Sequence, residues 1–172
     1  MQQSHDPNGD GSKDIQLVLS SKNDTMSLSN HDLLKARLIN KTHKPIYLAK
    51  EFDIASNLFP NGGFTGGTQK SAGFYFELVP IPPNFSIIIE NDILTYPESF
   101  VRLNPKKAFD YELAVTKQIE DYNKESSLDS FKVKTNCWYT LNITFGMDGP
   151  WNKLDTFLGT VKAKPFRIFL KP

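Results

Sequence analysis

Apolar and polar residues alternate along much of this chain, most regularly in its last third. Between residues 139 and 145 an apolar side chain stands at every second position, and the same spacing returns from Phe166 to Leu170. Because successive side chains of an extended strand point to opposite faces, this period of two predicts strands with one buried face. Three other stretches share the pattern and are predicted as strands: residues 15–19, 74–78 and 109–115.

Residues 33–40 predict a strand with one wet face. Leu34, Ala36 and Leu38 would face one side, whereas Lys35 and Arg37 would face the other. A helix over residues 32–39, capped by Asn30 or Asp32, is the competing interpretation. The alternation favours the strand.

Turn signals divide the predicted strands. The polar stretch 40–45 predicts a turn, so residues 46–49 are expected to return as the second arm of a hairpin. Residues 104–107 predict another turn, and residues 117–127 are expected to be a loop or one helical turn. The inward-facing parity changes between Val161 and Phe166, which predicts a bulge or kink near Pro165.

These elements predict an all-β fold, an antiparallel immunoglobulin-like β-sandwich of seven to nine strands. Residues 1–13 are polar and are expected to form a flexible tail, because they bury too little apolar surface to offset the entropy of ordering. Residues 14–172 are expected to form a single sandwich domain. The 39% hydrophobic content, with thirteen Phe, is enough for one core.

Charge and cysteine content exclude several function classes. The formal net charge of +1 provides no global field for nucleic acid, although residues 100–172 carry 12 basic and 8 acidic side chains. The lone Cys137 excludes an internal disulfide and is expected to act as a small buried apolar residue. No apolar run reaches the ~20 residues of a membrane-spanning helix, so no transmembrane segment is predicted.

The sequence offers no catalytic or metal-binding motif. His5, His31 and His43 lack the spacing of metal ligands. The opening of residues 6–11 resembles a calcium loop, but position 12 of that motif is Leu17 instead of glutamate. We therefore predict no cofactor, no metal and no enzyme activity. Acidic residues at close spacing, as in the wet face of a strand, occur in four pairs: Glu51 and Asp53, Glu90 and Asp92, Asp110 and Glu112, and Glu120 and Asp121.

Aromatic residues in predicted loops are the candidate binding residues. The Gly-rich segment 56–68 carries Phe64 and Thr65, and it is either a recognition loop or a plain connector. Tyr96 and Trp151 also fall outside the clean alternation. An exposed aromatic ring provides a flat surface for a partner's hot spot or for a sugar. Capping of the sandwich core is the structural alternative for these rings.

Four segments in the second half carry a family resemblance: residues 101–105, 109–113, 138–141 and 158–161. On these segments the chain resembles the immunoglobulin-like β-sandwich domains of bacterial secreted proteins, lipoproteins and proteinase-inhibitor-like proteins. The resemblance implies strand geometry and carries over no active-site residue. The chain has no pair of cysteines to bridge the sheets, unlike antibody domains.

These observations predict a non-catalytic protein-interaction or inhibitor-like module with an unidentified protein partner. The alternative is a carbohydrate-binding module that stacks a glycan on loop aromatics. A hydrolase that uses a carboxylate pair ranks behind the carbohydrate-binding module, and a purely structural part of a larger envelope assembly ranks close behind the interaction module. The resemblance, together with the polar N-terminal tail, leads us to expect an extracytoplasmic protein: periplasmic, cell-surface or secreted.

Overall fold

The computed structural model describes residues 11–50, 71–83, 85–89, 100–148 and 155–172, and every structural statement below concerns these residues. They are mostly β-strand. The strands are β1 (Ile15–Ser20), β2 (Thr25–Ser27), β3 (Leu34–Asn40), β4 (Ile46–Ala49), β5 (Ser71–Pro80), β6 (Ile87–Ile89), β7 (Phe100–Leu103), β8 (Ala108–Leu113), β9 (Cys137–Asp148), β10 (Gly159–Lys162) and β11 (Phe166–Lys171). One α-helix, α1 (Val115–Glu125), and two short 3-10 helices, Gly11–Lys13 and Asp129–Phe131, complete the described elements.

The strands form three sheets. The smaller main sheet has the order β1-β3-β8, and the larger has the order β2-β11-β9-β5-β6, with β10 also paired to β9. A separate two-stranded ladder joins β4 to β7. All these strand pairs are antiparallel except β2 with β11, which is parallel. The predicted all-β class is confirmed, but the described residues alone contain eleven strands instead of the predicted seven to nine.

A layer of aromatic rings joins the two main sheets. Tyr111 of the smaller sheet lies 5.3 Å from Phe74 and 6.2 Å from Phe145, both of the larger sheet, measured between ring centroids. Phe74 and Phe145 are themselves 5.0 Å apart. Burial of such rings, with edge-to-face contacts between them, is a large share of the energy of a two-layer core. The sheets therefore pack face to face.

β3 is a strand as predicted, since Leu34, Ala36 and Leu38 are all fully buried while Lys35 and Arg37 are exposed. The predicted hairpin with residues 46–49 is wrong. β3 pairs with β1 and β8, whereas β4 pairs with β7. Local turn chemistry predicted a reversal, but long-range pairing joins β3 to β8 across 69–79 residues and β4 to β7 across 51–57 residues.

The β3–β8 ladder and the β4–β7 ladder are two parts of one interrupted ladder. Ile39 pairs with Ala108, and the next pair beyond the interruption is Ile46 with Leu103. Seven residues separate the partners on one arm and five on the other, so the two arms cannot stay in register through the gap. The gap leaves backbone polar groups without ladder partners, and these must find other hydrogen bonds.

Asn40 satisfies the polar groups at this gap. Its side chain is fully buried, and its Nδ2 donates to the carbonyls of Lys44 (2.8 Å) and Leu103 (2.9 Å). Its Oδ1 accepts hydrogen bonds from the Thr42 backbone N–H (2.8 Å) and hydroxyl (2.7 Å). Its backbone N–H and C=O bond the turn at residues 104–107, through Lys107 and Lys106. One residue therefore ties both arms together.

The predicted bulge before β11 is confirmed. Val161 pairs with Phe145 and Phe166 pairs with Leu141, both on β9. Five residues separate the first member of each pair and four separate the second, so the β10–β11 side carries one extra residue. Pro165 lies within the extra segment, where its missing N–H costs no ladder hydrogen bond. The chain does not change sheets here, because both strands pair with β9.

The prediction of a loop or single turn at residues 117–127 is wrong. The helix α1 runs for eleven residues and begins at Val115, which the alternation had assigned to the preceding strand. Val115, Ile119 and Tyr122 stand at helical spacing and pack in or against the core. Such a short polar segment has weak local preference, so tertiary packing of its apolar stripe decides the helix.

Residues 11–13 belong to the segment predicted as a tail, and they form a short 3-10 helix. Gly11 is buried there, and a Cβ atom at this position would overlap the ring of Phe157 and lie 2.9 Å from the Thr160 carbonyl oxygen. Only glycine fits this close approach.

Replacement of Asn40 by alanine should lower the free energy of unfolding by about 2–4 kcal/mol, because two buried carbonyls and the Thr42 donors lose their partner. Asn142→Ala is the matched control: its Nδ2 makes one half-buried bond to Glu77 (3.1 Å), so the loss should be about 1 kcal/mol or less. Urea unfolding at constant pH measures both. Equal losses would contradict the role given to Asn40.

Because Tyr111 is buried, the free energy of unfolding should decrease at alkaline pH. It is 7% exposed, its hydroxyl donates to the Ala49 carbonyl (2.5 Å), and burial raises its pKa above the ordinary 10.0. The stabilising contribution is complete below pH 10, and it is lost as the pH rises toward the folded-state pKa, because the unfolded chain ionises first. The free energy of unfolding should fall above pH 10, and less steeply in Tyr111→Phe. Identical slopes for the two proteins would contradict this assignment.

Candidate functional site

The binding residues predicted from the sequence, Phe64, Thr65, Tyr96 and Trp151, lie outside the described residues. The carboxylate pairs Glu51 with Asp53 and Glu90 with Asp92 lie outside them as well. The candidate site is therefore built from the surfaces of the two main sheets.

The outer face of the larger sheet carries partly exposed aromatic side chains at one end. In β9 the odd-numbered residues from Tyr139 to Met147 are buried, so Trp138 belongs to the outer face. Phe169 of β11 pairs with Trp138, and their rings meet edge to face at 5.3 Å. On the other side Ile81, 39% exposed, donates its backbone N–H to the Trp138 carbonyl (3.0 Å).

Arg167 completes this cluster. Its guanidinium carbon lies 4.5 Å from the centroid of the Trp138 ring, within the distance of a cation–π contact. Arg167 is exposed and has no ion-pair partner among the described residues. We call Ile81, Trp138, Arg167 and Phe169 the aromatic patch. The patch presents an oriented cation beside a hydrophobic surface.

The same face carries further cations. Lys162 of β10 pairs with Thr144, and Lys171 of β11 pairs with Ser27, which places both lysines on the outer side of the larger sheet. Both are exposed and form no ion pair within the described part of the chain. Two described carboxylates lie on or beside this face: Glu77 accepts a hydrogen bond from Asn142 (3.1 Å), and Asp24 accepts one from the Thr25 hydroxyl (3.5 Å). The face therefore has an excess of positive charge.

The outer face of the smaller sheet has balanced charges. Arg37 donates two hydrogen bonds to Asp110 across the β3–β8 pair, at 2.6 and 2.8 Å, and Lys35 lies 3.8 Å from the same carboxylate. These contacts, first of all the hydrogen bond from Arg37, hold the pKa of Asp110 below its ordinary range. A general acid needs a raised pKa. Asp110 and Glu112 therefore lie on a solvent-facing surface of the sheet, where basic side chains of β3 stand opposite them.

The carboxylates of α1 are also ion-paired. Glu120 accepts a hydrogen bond from Lys124 (2.9 Å), which lowers the pKa of Glu120, and Asp121 pairs with Lys117 (2.5 Å). His31 Nδ1 lies 3.6 Å from Glu120 and is largely exposed. These are solvent-facing contacts of a kind that stabilises a helix surface only weakly.

The described residues do not form a metal site. They contain no group of three or more His, Cys, Asp or Glu side chains that could hold a metal ion. Cys137 is partly buried against the core at the start of β9. An open pocket of about 610 Å³ lies between residues 20–26, residues 30–33 and the Lys35–Glu112 pair, and its lining is polar and apolar in similar parts.

None of the described helices is long and apolar enough to cross a membrane. No family model matches the chain, and no curated protein or solved structure was found to be similar to it. The function is therefore argued from the geometry of the molecule.

The sequence interpretation missed the aromatic patch although a signal for it was present. Trp138 and Phe169 occupy the outward positions of otherwise alternating strands, where polar residues are the rule. The sequence alone could not show that these two positions lie side by side, because their pairing depends on the register between β9 and β11.

Loss of Arg37 should raise the pKa of Asp110 toward that of an isolated aspartate, since the strongest stabiliser of its charged form is removed. NMR titration of the carboxyl carbon in Arg37→Ala measures this change. Lys117→Ala, which breaks an ion pair on α1, serves as the control and should leave Asp110 unaffected. An unchanged Asp110 pKa in Arg37→Ala would contradict the paired-face interpretation.

Proposed function

We propose that this protein is a non-catalytic, protein-binding β-sandwich module, of an interaction or inhibitor-like type. The observation that carries the proposal is the aromatic patch on the outer face of the larger sheet. Neighbouring apolar side chains on a protein surface, rimmed by polar residues, are a common feature of interaction sites. Trp138 and Arg167 are residue types over-represented among those that dominate binding energy.

The side chains of the aromatic patch are pre-organised in the free protein. Trp138 and Phe169 stand on paired strands, and Arg167 is stacked on the Trp138 ring. Side chains held in this way lose less rotamer freedom on association than free surface side chains, so more of the contact energy contributes to affinity. An open sheet face also matches the shape of a protein surface better than that of a small ligand.

The strand order supports the immunoglobulin-like arrangement that we propose for the fold. The order β1-β3-β8 corresponds to strands A, B and E of such domains, and β11-β9-β5-β6 corresponds to G, F, C and C′. Tyr139, near the start of β9, bonds through its hydroxyl to the backbone N–H (3.0 Å) and C=O (2.8 Å) of Lys134. That contact has the form of a tyrosine corner. The extracytoplasmic location stays a prediction from the family resemblance.

A glycan is the alternative ligand, and the described surface favours it less. Sugar rings stack on the open face of an aromatic ring, but one face of Trp138 carries the Arg167 guanidinium. The glycan hypothesis therefore depends on Trp151 and Tyr96, which lie outside the described residues.

Affinity capture from an extract of the source organism, with mass spectrometry, tests the protein-binding function. The wild-type chain is compared with Trp138→Ala, with a deletion of residues 61–68, and with Phe131→Ala. Phe131 is 57% exposed on the 3-10 helix after α1, so its variant controls for loss of an exposed aromatic elsewhere. We expect a protein captured by the wild type and by Phe131→Ala but not by Trp138→Ala.

Thermal unfolding of each variant separates loss of binding from loss of fold. Capture that survives Trp138→Ala and disappears with the 61–68 deletion would move the site to the Gly-rich segment around Phe64 and Thr65. If no form captures a protein, the protein-binding function fails, and a glycan array with wild type and Trp151→Ala tests the alternative.

A further inference from the structure

The two main sheets differ in whether their surface cations form ion pairs. On the smaller sheet Lys35 and Arg37 share Asp110, and Glu112 pairs with Lys35 in register. On the larger sheet three exposed cations, Lys162, Arg167 and Lys171, have no acidic partner among the described residues. The cations of one face are thus ion-paired, whereas those of the other are not. Of the unpaired cations, Arg167 belongs to the aromatic patch and Lys171 lies two positions beyond Phe169 on the same strand.

The spacing of the outward side chains of β11 specifies the spacing that complementary side chains of a partner would need. Arg167, Phe169 and Lys171 stand at every second position of the strand and on the outer face. At a rise of about 3.3 Å per residue, the Cα atoms of Arg167 and Lys171 are about 13 Å apart, with Phe169 midway between them. An extended segment has the same rise and the same alternation. It would meet this row with two acids four residues apart and an apolar residue between them.

We infer that the partner presents an extended acidic segment to the row formed by Arg167, Phe169 and Lys171, with carboxylates against the two cations and an apolar side chain against Phe169 and Trp138. This inference rests on the proposed protein-binding function and specifies the chemistry of the partner. Positive and negative surfaces that match in this way increase association rates and select among partners.

Single-stranded nucleic acid also combines negative charge with groups that stack, but the face suits it less well. Base stacking needs an open aromatic face, and Trp138 meets Phe169 edge to face and carries Arg167 on its ring. The cations form a short row on one strand and its neighbour, with a chain net charge of only +1. A carboxylate-bearing segment makes better use of this geometry.

The probe is a synthetic peptide of three Glu-Thr-Leu-Thr repeats, which places glutamates four residues apart with leucine between them. Its matched control replaces every Glu by Gln. Titration into the full-length 15N-labelled chain, followed by amide chemical shifts, gives affinity and location together. We expect the acidic peptide to shift amides of β11 and of the start of β9, and to bind more weakly as salt rises.

Two charge-reversal variants make the test specific. Arg167→Glu should weaken binding of the acidic peptide by about tenfold or more, which corresponds to about 1.4 kcal/mol. Lys35→Glu makes the same change of net charge on the other sheet and should leave the affinity within about twofold. Unchanged thermal unfolding in Arg167→Glu confirms that the fold is intact.

Three results would overturn the inference. One is equal binding of the Glu and Gln peptides, and another is the absence of amide shifts at millimolar peptide. The third is tighter, Arg167-dependent binding of a single-stranded oligothymidylate, which would assign the row to nucleic acid. If affinity capture still depends on Trp138 while the peptide test fails, the protein-binding function stands and only the acidic partner is rejected. If neither Trp138-dependent capture nor binding of the acidic peptide is observed, both the protein-binding function and the acidic partner are rejected.

Discussion

The architecture depends on one buried side chain, that of Asn40, at the gap in the long β3–β8 and β4–β7 ladder. Where a ladder is interrupted inside the protein, backbone donors and acceptors lose their ladder partners and water cannot replace them. Each buried group left without a hydrogen bond would lower the free energy of unfolding. The amide of Asn40 has a donor group and an acceptor group, and its contacts use both, on the chain segments of both arms. With the gap closed in this way, the chain bends between β3 and β4 and holds Ala49 where its carbonyl accepts the Tyr111 hydroxyl.

Tyr111 links the β4–β7 ladder to the core between the two main sheets. Its hydroxyl is bonded to the β4–β7 ladder, while its ring packs against Phe74 and Phe145 of the opposite sheet. The position of the larger sheet is therefore coupled to the bend in the smaller one. β5 carries Phe74 and β9 carries Phe145, and the pairing of β9 with β11 places Trp138 beside Phe169. The candidate binding surface is a consequence of the packing on the other side of the same sheet.

Sequence periodicity predicted β1, β3, β5, β9 and β11, because each has one buried face and the period of two is a local property of extended backbone. It also predicted the one-residue shift before β11 from the change of parity around Pro165. It failed for α1, where Val115 continued the alternation of β8 although it starts a helix. Val115 stands at an apolar position of both the strand period and the helix period, so the local pattern alone could not decide between them.

The sequence by itself determined the fold class and the general absence of catalytic motifs, since both follow from residue types and from spacings shorter than about ten residues. The tertiary structure alone decided the pairing of β4 with β7, the role of Asn40 and the composition of the aromatic patch. Trp138 and Phe169 are about thirty residues apart in the chain, and Arg167 becomes their neighbour only in the observed register. The physical reason is that a strand chooses its partner by burial across the whole sheet, whereas its own sequence specifies only which face is apolar.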